Sequence, residues 1–112
     1  MARLIVETQS EDTIAAPGNR LPNYIAVSVT DINGVPVTGL TKTNFKVQPL
    51  IVAPGGALVN ITTVAGGPLP GTYIVSVVPI GTQTWKNGVY IFATAITRGP
   101  DKGQNLASVL LD

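Results

Sequence analysis

The chain has no cysteine and no histidine, and only 12% of its residues are charged. Without cysteine there is neither a disulfide framework nor thiol chemistry. Without either residue there is no Ser-His-Asp or Cys-His relay and no conventional zinc site. The charged share is about half of what globular domains usually carry, and the seven cations (Arg3, Arg20, Lys42, Lys46, Lys86, Arg98, Lys102) are scattered along the chain. Phosphate recognition gathers several cations on one surface, so nucleic acid is not an expected partner. A sustained acidic block is missing too, which argues against a solvating tail. No stretch approaches eighteen uninterrupted apolar residues, which excludes a membrane-spanning helix. Near the start only Leu4-Ile5-Val6 precede Glu7, too short a run for a signal peptide.

Six carboxylates remain as acid–base chemistry: Glu7, Glu11, Asp12, Asp31, Asp101 and Asp112. A glycosidase needs two of them facing each other across a cleft. Only Glu11 and Asp12 share a segment, and short connections leave no room for a cleft, so the chain is not expected to be an enzyme or to hold a cofactor. Calcium takes six to eight oxygens, and Glu11-Asp12 with Asp31-Ile32-Asn33 could supply some of them at one end of the fold. The Asp-x-Asn-Gly spacing is ordinary turn chemistry, however, and that reading is preferred.

What the sequence does contain is 12 Gly and 9 Pro at short intervals, with β-branched residues filling the gaps. Many short strands joined by turns give this pattern, and no ten-residue segment has helical spacing. Strands are expected over 3–9, 23–30, 44–52, 57–64, 72–80, 89–98 and 105–111, with a short extended piece over 35–37. In the second, Ile25, Val27 and Val29 alternate with Ala26, Ser28 and Thr30, so one face meets a core. Pro49 places the run over 44–52 at an edge or bulge. The runs 72–80 and 89–98 are apolar on nearly both faces, which predicts central strands covered twice. Gly99 to Gly103 reads as a hairpin loop. The expected fold is all-β: a single domain over 1–112, a sandwich of seven or eight mostly antiparallel strands with no helix. A small barrel is the alternative.

Two segments carry a family resemblance. Val27-Ser28-Val29-Thr30-Asp31-Ile32-Asn33-Gly34-Val35-Pro36-Val37-Thr38-Gly39-Leu40 resembles the second strand and turn of bacterial immunoglobulin-like domains. Pro70-Gly71-Thr72-Tyr73-Ile74-Val75-Ser76-Val77 is similar to a late strand of the same domains, shared with fibronectin type III modules. The resemblance implies an immunoglobulin-like sandwich used for adhesion, spacing, or protein or glycan binding, on a cell surface, outside the cell or on a virion. The chain departs from antibody domains in lacking their cysteine pair and in placing Trp85 late.

Several side chains are singled out. Tyr73 is expected to pack its ring in the core and bond its hydroxyl to backbone, as in a tyrosine corner. Trp85, in a polar loop with Lys86 and Asn87, either caps the core or anchors a partner, with capping preferred. Asn60-Ile61-Thr62 matches a glycosylation acceptor inside a strand. Lys42 or Lys46 with Asn44 could form an internal cross-link if a lysine were buried. The closing strand, with Leu106, Val109 and Leu111, is the first candidate for an edge open to a partner, and the strand over 3–9 the second. The functional expectation is a non-catalytic module for protein or glycan binding, or for spacing in an adhesin-like assembly. The alternative is a subunit that self-associates as a coat, decoration or fibre component. Sparse charge and a net charge of +1 offer little insurance against self-association.

Overall fold

A computed structural model describes residues 3–10, 14–56 and 58–111. Glu11, Asp12 and Asp112 therefore lie outside the described residues. Seven strands run in the order β1 (Ile5–Ser10), β2 (Asn23–Thr30), β3 (Phe45–Ile51), β4 (Val59–Gly66), β5 (Thr72–Pro79), β6 (Gly88–Arg98) and β7 (Asp101–Leu111). The only helical piece among the described residues is a 3-10 turn, Lys42–Asn44, which sequence periodicity could not reveal. One sheet has the order β1-β2-β5-β4 and the other β3-β6-β7, with every neighbouring pair antiparallel. This is an all-β, two-sheet sandwich, and its strand order is that of the constant-type immunoglobulin sandwich.

Period-two alternation sets the core. Asn23, Ile25, Val27 and Val29 of β2 point inward, as do Tyr90, Phe92, Thr94 and Ile96 of β6, all at 0–2% exposure. Two strands break period to stay in register. In β4 the apolar residues fall at Val59, Ile61 and then Val64, and a bulge between Ile61 and Thr63 absorbs the extra residue. In β3 the bulge follows Pro49, which has no N–H to give to a ladder, and it turns Ile51 outward.

Two expectations are corrected. Residues 35–37 form no strand; Pro36 makes a single bridge to Thr30. The segment from Asp101 to Gly103 is strand rather than loop, because Arg98 pairs with Asp101 across a two-residue turn. Gly99 has φ +59° there, a left-handed conformation that suits the first position of such a turn. The polar character of 101–105 looks like a loop in the sequence because Lys102 and Gln104 face water from an ordered strand while Asn105 turns its amide to the Val6 carbonyl.

The two lateral sides of the sandwich differ. Along one, β1 lies beside β7 and side chains bridge the sheets. The Thr8 hydroxyl donates to the Leu106 carbonyl and the Ser10 hydroxyl to that of Ser108. Asn105 Nδ2 donates to the Val6 carbonyl at 2.7 Å, and Leu4 N–H to the Lys102 carbonyl at 2.8 Å. Gly103 is where β1 comes closest: a Cβ there would sit 2.4 Å from the Leu4 carbonyl oxygen. Along the other side, β3 and β4 are each paired on one edge only.

Candidate functional site: the outer face of the three-stranded sheet

A strand that is apolar on both faces calls for two covers, and β6 has one. Its inward residues meet the other sheet. Its outward residues Val89, Ile91, Ala93 and Ala95 stay half-buried or exposed, with nothing packed over them among the described residues. Register assembles the surface row by row. Lys46, Ala95 and Gln104 stand side by side; then Gln48, Ala93 and Leu106; then Ile51, Ile91 and Ser108; and finally Val89 with Leu110. Leu106 is 53% exposed, Leu110 60% and Ile51 52%. Leu50, at the bulge, is also exposed. The two cations of this face, Lys46 and Lys102, both lie toward the end where β6 turns into β7. The result is an apolar half and a basic half on one flat surface.

The candidate contact residues separate. Trp85 is buried, so it does not serve as an exposed anchor. Its indole N–H donates to the Leu21 carbonyl at 2.7 Å, its backbone bonds Gly18 and Asn19, and its ring meets Tyr90 edge-on at 5.1 Å. It caps one end of the core, the reading preferred from sequence. Lys86 and Asn87 remain exposed beside it. The closing-strand candidates also divide: Leu106 faces out, Val109 packs partly against the core and Leu111 is buried. Although β7 and β1 both end their sheets, the carbonyls of Lys102, Leu106 and Ser108 are already taken by β1.

Two tyrosines close the ends of the sandwich. The Tyr73 hydroxyl donates to the Val37 carbonyl at 2.7 Å and accepts from Leu40 N–H at 3.2 Å, so it holds the β2–β3 crossover over the core. The corner geometry belongs to Tyr90 instead, near the start of β6, whose hydroxyl accepts from Lys86 N–H four residues upstream at 3.0 Å. That is the position and bond of a tyrosine corner.

Other candidate chemistry takes structural roles. Asp31 Oδ1 accepts from Asn33 N–H and Val35 N–H at 2.8 and 3.0 Å, closing the turn. Ser10, which precedes Glu11, and Asp31 lie toward opposite ends of β2, since Ser10 pairs with Ile25 and Ile5 with Thr30. Among the described residues no three His, Cys, Asp or Glu gather where they could hold a metal. Lys42 and Lys46 are both exposed, unlike the buried lysine an internal cross-link needs, and Asn44 is engaged with Thr41 and with the Thr97 carbonyl. Asn60 is exposed within β4. An open groove of about 540 Å³ lies between β1 and the β6–β7 hairpin, with Arg3 and Lys102 among the residues that line it. No helix among the described residues is long and apolar enough to cross a membrane.

Fold and surface thus define a two-sheet β-sandwich with one sheet face that is apolar and exposed over half of its extent. Compared with known proteins, the chain matches no family model, no curated protein and no solved structure.

Proposed function

We propose that this chain is a non-catalytic, immunoglobulin-like module that works by association, as a structural subunit of an assembly, through the outer face of the β3-β6-β7 sheet. The observation that carries the reading is the uncovered apolar half of that face, with Leu106 and Leu110 more than half exposed. Exposed apolar surface that is contiguous marks interaction sites, whereas isolated residues do not. The low charge of the whole chain points the same way. The test is solution mass by light scattering after size exclusion, from micromolar to submillimolar concentration. The mass should rise above that of one 11.6 kDa chain, and Leu106→Lys with Leu110→Lys should hold it at one chain. A native chain that stays monomeric throughout sinks the reading.

The second reading, a protein- or glycan-binding or spacing module, draws on the loops at one end. Ile32 and Leu69 are 68% and 67% exposed and Val35 56%, on loops that hydrogen bonds from Val29 to Gly71 and from Val37 to Val29 hold together. A monomeric chain would move the search there.

A further inference from the structure

Resting on that reading, we infer that the occupant of the β3-β6-β7 face is a second copy of the same chain, related by a two-fold axis that lies between the faces, runs across the strands and passes over the row Ile51, Ile91 and Ser108. Facing surfaces of two identical chains allow two limiting arrangements. An axis along the strands keeps like ends together, and Lys46 and Lys102 of both copies would then gather at one end. Four cations in a closing, partly desolvated contact repel one another. An axis across the strands sends the two basic ends to opposite rims, where the lysines keep their hydration and lay their stems along the partner.

The rows then match. About the Ile51–Ile91–Ser108 row, each copy's Leu106 meets its partner's Leu110, and each Ala93 its partner's Val89. Every apolar row finds an apolar row, and the polar row of Lys46 and Gln104 falls at the margin. Packing sheet on sheet is the arrangement by which sandwiches bury apolar faces. The shared patch is some seven residues long and three strands wide, about 23 by 14 Å. At about 320 Å² on each copy it falls well short of the roughly 800 Å² per partner of a standard interface, in the range of weak contacts. The dimer should therefore form with concentration rather than be permanent.

The absence of native cysteine makes the geometry directly testable. Ser108→Cys and Lys102→Cys each place one thiol on an exposed position of the face, the first beside the axis. The second lies about 40 Å from its own copy across twelve residue steps. A short bifunctional thiol reagent, applied where the native mass shows dimer, should link Ser108→Cys chains on the order of a hundredfold faster than Lys102→Cys chains. That is the ratio of a millimolar effective concentration to about ten micromolar protein. Comparably fast linking of both would establish the strand-parallel arrangement, in which the two positions of β7 lie equally far from their copies, and would overturn the inference. Equal, slow linking of both, with a dimeric mass, would place the contact on another surface and also overturn it, leaving self-association intact. A monomeric mass overturns the functional reading itself.

Discussion

The two sheets treat their outer faces in opposite ways. In β1-β2-β5-β4 the outer positions carry Glu7, Gln9, Ser28, Thr30, Thr72 and Asn60, with Tyr24, Ala26, Ile74 and Val78 half-buried among them and Ile5 exposed at 39%. Inner and outer faces there differ as they should when one meets a core and the other water. In β3-β6-β7 the contrast fades over the half that holds Ile51, Val89, Ile91, Leu106 and Leu110. Alternation along a strand reports how many of its faces are covered, and on the proposed function the second sheet is the one whose outer face takes a cover from outside the chain.

The sharpest test separates buried from exposed aromatic and aliphatic residues. Trp85→Ala should lower the unfolding free energy by about 3–5 kcal/mol, the range for emptying a large buried site, as read from urea denaturation. The solution mass should not change. A loss under 1 kcal/mol would put the ring outside the core. Next in size is Gly103→Ala, where the new methyl meets the Leu4 backbone. Displacing β1 should cost about 1–3 kcal/mol, with amide exchange quickened along β1. Uniform protection would show that β1 is not held against β7.

The comparison between outer faces is broken or upheld by a matched pair. Leu106→Lys with Leu110→Lys should abolish any concentration dependence of the mass. Ala26→Lys with Ser28→Lys, on the other sheet, should leave it as it is. Because all four positions are at least partly exposed, the monomer's stability should move by no more than about 0.5 kcal/mol per site. Equal loss of association from both pairs would mean that charge, not the face, decides.

Much of this architecture was legible because it is local. The alternation of β2, the doubly apolar runs of β5 and β6 and the edge or bulge character of Pro49 all show within a few residues, whereas the bulge after Ile61 does not. What stayed hidden depends on residues far apart in the chain. Trp85 lies in a polar segment, and only its bonds to Gly18, Asn19 and Leu21, more than sixty positions away, show that a second loop folds over it. The outer face was hidden for the same reason. Ile51, Ile91 and Ser108 are unremarkable one by one and become a row through register alone. Tyr73 packs its ring in the core and bonds backbone through its hydroxyl, as the Pro70-Gly71 ahead of it suggests, while the local corner bond of Tyr90 has no sign in the polar Trp85 loop. Tyr73→Phe and Tyr90→Phe should each cost about 1 kcal/mol. Tyr73→Phe should cost the more, since it strands two backbone partners, Val37 and Leu40, rather than one.

The smallest effect should have the opposite sign. On the inner face of β6, the Thr94 hydroxyl is fully buried and has no hydrogen-bond partner among the described residues. Burying a hydroxyl without a partner costs free energy that an apolar group of the same shape does not. Thr94→Val keeps the shape and the β-branched backbone preference, and it should raise the unfolding free energy by about 1 kcal/mol. The neighbours Phe92 and Ile96 keep their packing, so the denaturant dependence should not change. A loss of similar size would instead mean that the hydroxyl is satisfied, most simply by an internal water, since buried waters serve such groups. The inner face would then be less dry than its outer counterpart is apolar. The contrast between the sheets would have to be drawn from the outer faces alone.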